Sequence, residues 1–128
     1  MKYGYKKQIA LSFLETVEKT KTELAKENFG ILTEIDVKAT LKKKLNIDYD
    51  NYLILGACNP PFAYQALQKE KDIGLLLPCN IIVYEDNGSV FVSAILPTVA
   101  MGMVDNTALF NIAKEVEEKL KIAINRVK

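Results

Sequence analysis

The sequence predicts an α+β domain, and three stretches carry that expectation. Residues Ile31 to Val37 alternate strictly between two sets of side chains, the signature of a half-buried strand. Asp86-Asn87-Gly88 lies between two apolar runs, and Asn-Gly readily takes the positive φ angles of a type I′ hairpin turn. From Leu109 to Val127 the apolar residues recur at helical spacing. Length agrees: 128 residues make a single domain, 1–128, able to bury a core without disulfides or metal.

The first strand is expected over Tyr3 to Leu11, with Tyr3, Tyr5 and Ile9 on alternate positions. Lys7 interrupts its apolar side, so it reads as an edge strand with one wet face. Ser12 has Glu15 three residues on, the spacing of a capping box. Phe13, Leu14, Val17, Leu24 and Ala25 form the expected buried stripe, with Glu15 and Lys19 as an i,i+4 pair. This helix should end near Asn28, with Gly30 supplying the break. In the next strand Ile31, Thr33, Ile35 and Val37 point one way and Leu32, Glu34 and Asp36 the other. Glu34 and Asp36 then share a face; a solvated outer face is preferred there to a paired-carboxylate site. Lys38 to Leu45 is a short basic helix, and its run Lys42-Lys43-Lys44 reads as a solvated face before a phosphate site.

Tyr52 to Ala57 is almost wholly apolar, as expected for a central strand covered on both sides. Asn59 as N-cap and Pro60 at N1 start a helix, with Phe62, Ala63, Ala66 and Leu67 as its buried stripe. Cys79 to Glu85 and Val90 to Leu96 are the two arms of the hairpin. A loop with Met101, Gly102 and Met103 leads to the last helix, capped by Asp105 or Asn106. Its face carries Leu109, Ile112, Ala113, Val116, Leu120, Ala123, Ile124 and Val127, and Arg126 and Lys128 suit its C-terminal dipole.

Composition narrows the function. Hydrophobic residues at 49% and charged residues at 26% suit a globular chain and not a disordered one. Lys+Arg 17 against Asp+Glu 16 gives a formal charge of +1, so no global field draws in nucleic acid. No apolar run is long enough to span a bilayer, and the start Met-Lys-Tyr-Gly-Tyr-Lys-Lys lacks the apolar core of a signal peptide. The expected compartment is the cytoplasm, where Cys58 and Cys79 stay free thiols. The chain has no histidine, which removes Ser-His and Cys-His catalysis and the usual zinc sets. Gly56, Gly74, Gly88 and Gly102 are isolated, so there is no phosphate loop. Taken as a βαβ unit, the strands ending at Cys58 and starting at Cys79 would be parallel, with the thiols at opposite ends of the sheet. An antiparallel arrangement is the alternative, and the residues alone leave both open.

Gly56-Ala57-Cys58-Asn59-Pro60 and Leu77-Pro78-Cys79-Asn80 resemble motifs of the domain of unknown function family 302. Ser12-Phe13, Glu15-Thr16-Val17 and Phe29-Gly30 before Glu34-Ile35-Asp36 are similar to the same pattern, and the resemblance spans nearly the whole chain. It implies a two-layer α+β fold: a five-stranded antiparallel sheet, ordered 1-5-4-3-2, with helices on one face. The topology is the β-α-β4-α of TATA-binding-protein-like folds, with an extra helix between strands 3 and 4. It also implies that the two Cys-Asn phrases meet at one end of the sheet, with the chain after Pro97 beside them.

A binding site is therefore expected at Cys58, Asn59, Pro60, Cys79, Asn80 and Thr98, with no metal and no cofactor. Cys58 beside a helix start and Cys79 nearby would form a thiol-based redox pair in one reading; structural cysteines are the preferred one. An enzyme is not expected. The function is read as a binding or assembly module that takes a small ligand or protein partner, with no nucleic acid and no membrane as partners. A homodimer is expected because the Tyr52 to Ala57 strand is too apolar for its second face to meet water.

Overall fold

The Asn87-Gly88 turn folds as the sequence predicts, with φ 50° and 81°. It joins β4 (Cys79–Asp86) to β5 (Ser89–Ile95) in an antiparallel pair. β1 (Gly4–Ile9) adds to β5, β3 (Tyr52–Cys58) to β4, and β2 (Gly30–Asp36) to β3. Every pairing is antiparallel and the order is β1-β5-β4-β3-β2, which removes the parallel alternative. This is a computed structural model, and it describes residues 2–128.

Two long helices cover one face of the sheet and pack on each other, α1 (Phe13–Lys26) and α5 (Ala108–Asn125). Ser12 and Glu15 make both bonds of the capping box. The stripe of α1 differs from expectation: Leu14 and Ala25 are exposed, and Thr16, Thr20 and Glu23 are buried beside Val17 and Leu24. The two threonines are accommodated because their hydroxyls donate to the carbonyls of Ser12 and Thr16. Glu15 is taken up by the cap, so Lys19 pairs with Glu23 at 3.5 Å in place of Glu15. The break falls at Asn28, φ 67°, and Gly30 already belongs to β2. All eight apolar residues expected on the last helix are buried. Asn106 supplies its cap, the Oδ1 accepting from the N–H of Ala108.

β2 corrects the strict alternation. Ile31 lies opposite Ala57 but Thr33 lies opposite Gly56, so Leu32 is the extra residue of a β-bulge. Ile31 thus faces the helices while Thr33 faces the open side. Nor is β2 half-buried: it is an edge strand, exposed except at Ile31, and the bulge makes that edge a poor template for another chain. β3 is a central strand with helices on one side only. Leu55 and Ala57 are buried, while Tyr52 and Ile54 on the other side are half-buried.

Lys7 sits opposite Val92 on the helix side, not on a wet face. Its stem crosses apolar surface and its ammonium donates to the carbonyls of Asn125, at 3.0 Å, and Val127, at 2.7 Å. A lysine on an apolar side is tolerated because it caps the C-terminal end of α5.

Three shorter helices complete the chain. α2 (Val37–Leu45) projects from the end of β2 and buries no residue. α3 (Pro60–Lys69) runs from β3 into a tight helical turn, Lys71–Leu76. The stretch expected as a loop after Pro97 is instead α4 (Pro97–Ala100) followed by a turn at Met101–Met103.

Candidate functional site

The end of β3 and the start of β4 share one end of the sheet, where Ala57 lies opposite Cys79. Both face the helices. Cys58 is one residue further along, opposite Gly30 of β2. Both thiols are free, and no disulfide joins them. Residues of both phrases border a small cleft of about 30 Å³, lined also by Phe29, Phe62, Ala66, Met101 and Val116. That is room for one water, and the wall is apolar. Burial pushes the Cys79 thiol up to about 11, and Cys58 adds to the rise.

Asn59 is buried, but its side chain does not cap α3. Its Nδ2 donates instead to the carbonyl of Glu27, at 3.1 Å. Pro60 and Pro61 open α3 without N–H groups, so Phe62 is the first residue of the helix that can donate. The helix start beside Cys58 therefore offers little to hold an anion.

The other expected residues lie around this cleft rather than in it. Asn80 is exposed and borders a groove of about 220 Å³ with Leu75, Leu76, Leu77, Ile95 and Met101. Thr98 borders a larger groove of about 420 Å³ with Met101, Val104, Leu109 and Phe110. Its N–H and hydroxyl both donate to Glu117 Oε1, at 3.1 and 2.7 Å. Burial raises the Glu117 carboxyl, but the Thr98 bonds and the Lys121 ammonium outweigh it and hold the group below the ordinary range. Thr98 is thereby committed to Glu117. Pro60 is exposed and lines none of these clefts.

Met101 lines all three clefts, a more central place than its segment's expected position beside the turns. Leu75 and Phe110 were not expected there. Leu75 is 87% exposed and Phe110 58% exposed. Phe110 falls off the buried stripe of α5, and Leu75-Leu76-Leu77 exceeds what one buried turn can hide; those were the available signals.

Among the described residues no group of three or more His, Cys, Asp or Glu side chains could hold a metal ion. No helix among them is long and apolar enough to cross a membrane.

The molecule is thus a two-layer α+β protein with an open-faced antiparallel sheet and apolar clefts at one end. The chain belongs to the family described as Domain of unknown function DUF302, whose profile matches residues 5–127. It is similar to an uncharacterized conserved DUF302 protein from Bacillus stearothermophilus, solved by crystallography. The two are 30% identical, with a TM-score of 0.94 and 100% of each chain covered. Among curated proteins, none matches the chain.

Proposed function

We propose that this chain is a non-catalytic binding or assembly module whose binding end is the group of clefts around Met101. The observation that supports this most is the convergence of a 420 Å³ groove, a 220 Å³ groove and the small cleft beside Cys79 on that one side chain. Their walls are mainly apolar, and Leu75, Met103 and Phe110 extend the apolar surface outwards. Such a surface suits an apolar ligand or the apolar part of a partner.

The same reading includes a homodimer through the part of the open sheet face nearest the clefts, which leaves the Tyr49–Tyr52 end uncovered. Ile54, Ile82 and Ile95 are half-buried there. The thiol-based alternative has less support, because Cys79 is buried with its thiol raised to about 11 and both cysteines are free.

Native mass spectrometry of the protein purified from its own cells tests both parts. A dimer mass with a retained apolar molecule, lost in Met101→Glu, is expected. A bare monomer at micromolar concentration, confirmed by sedimentation, would remove the dimer and the retained ligand together.

A further inference from the structure

The opposite end of the sheet carries a different kind of cleft. Tyr52, Tyr84 and Phe91 are cross-strand neighbours on β3, β4 and β5. Their rings stack in a row, with centroids 5.4 Å apart at each step and interplanar angles of 18° and 25°. Lys6 of β1 closes one end of the row, its ammonium 4.9 Å from the Phe91 centroid and 3.0 Å from the Tyr84 hydroxyl, to which it donates. Most ring faces in the row are therefore covered by a neighbour. Such rings cannot act as a platform for bases.

The row ends differently at Tyr52. Tyr49, in the connection before β3, does not stack on it: the centroids are 6.5 Å apart and the rings tilt by 52°. Beside this angle lies a cleft of about 240 Å³, lined by Tyr49, Asp50, Tyr52, Tyr84, Glu85 and Asp86. Three tyrosines and three acidic residues make this wall, and no cationic residue does. Asp50 and Asp86 are exposed, while Glu85 Oε1 accepts from Asn51 Nδ2 at 2.7 Å.

We propose that this cleft binds an organic ammonium group, of the quaternary kind carried by choline or by trimethylated lysine. Ring faces set at an angle attract a cation through their quadrupoles, and a methylated ammonium loses little hydration when it sits between them. The acidic residues raise its local concentration. Burial and the neighbouring Tyr84 raise the Tyr52 hydroxyl above its ordinary range, so the ring stays neutral. A cleft of this size takes a head group or a side chain rather than a whole drug-sized ligand. The site is independent of the clefts around Met101, since it shares no lining residue with them.

The test is a titration of isotope-labelled protein followed by NMR, with choline and with an N-acetylated trimethyl-lysine amide as probes. Saturable shifts of the amides of Tyr49, Asp50, Tyr52 and Asp86 are expected. The tighter of the two probes identifies a free molecule or a side chain as the source. The neutral isostere of choline, with carbon in place of N⁺, should bind about tenfold more weakly or worse. Tyr49→Leu, at a half-exposed position, should abolish the shifts while the rest of the spectrum stays in place. Asp50→Asn with Asp86→Asn should weaken binding and flatten its salt dependence. Three results would each overturn the proposal: equal binding of the neutral isostere, no saturation by either cation up to about 10 mM, or undiminished shifts in Tyr49→Leu.

Discussion

The Asn59 side chain donates to the main-chain carbonyl of Glu27 across 3.1 Å, and so ties the start of α3 to the end of α1. The Glu27 carboxylate meanwhile meets Arg126 at 3.2 Å and Lys119 at 3.9 Å, so one residue joins three helices. Asn59→Ala removes a donor at a position only 6% exposed. The expected loss is about 1–3 kcal/mol, the range for an acceptor left without a partner. Asn59→Asp should cost more at neutral pH, since it sets a carboxylate against a carbonyl. Urea unfolding checks both, as a lower midpoint with an unchanged slope.

Gly56 is buried under Thr33 of β2 and Pro78, the residue before β4. A Cβ there would collide with Thr33 Oγ1 and lie 2.8 Å from Pro78 Cγ. Gly56→Ala is therefore expected to destabilise by about 2–3 kcal/mol through overpacking. Thr33→Ala removes the first obstacle, so the double variant should recover part of the loss. Strictly additive losses in thermal unfolding would contradict that contact.

Much of this fold was legible because local chemistry and tertiary packing agree. The Ser12 cap, the Asn87-Gly88 turn and the stripe from Leu109 to Val127 each have one good conformation, and the protein adopts it. The bulge at Leu32 was hidden, because an inserted residue leaves a run of alternating types looking regular. Thr16 and Thr20 looked polar, and only their back-bonds to carbonyls one turn earlier let them be buried. At the candidate site the meeting of the Cys-Asn phrases came from the family resemblance. The roles of Asn59 and Thr98 did not, because the partners Glu27 and Glu117 lie 32 and 19 residues away.

Lys7 provides a test of the helix-end cap. Lys7→Met keeps most of the apolar stem and removes the ammonium that serves the carbonyls of Asn125 and Val127. A loss of about 1 kcal/mol is expected, with fraying confined to the last turn of α5. Faster amide exchange in residues 122–127 alone is the signature; a general loss of protection would mean that Lys7 matters through packing.

The thiols yield the sharpest expectation. The Cys79 thiol rises from 9.0 to about 11 in the folded protein, first because it is buried and then because of Cys58. Above pH 9 the unfolded chain releases this proton and the folded chain does not, so folded stability is intact below that pH and falls as pH climbs towards 11. The loss attributable to Cys79 is about 2–3 kcal/mol. Cys79→Ala should be less stable at pH 7, from the small void it leaves, yet lack this alkaline slope. Cys58 is half-exposed and should react with iodoacetamide well before Cys79. Mild oxidant should not link the two readily, because the Cys79 thiol is buried and stays protonated at neutral pH. Mass spectrometry after alkylation or diamide treatment reads both results. A Cys58–Cys79 crosslink formed by the folded protein, or equal alkylation rates at pH 7, would show that Cys79 is far more accessible than its burial allows.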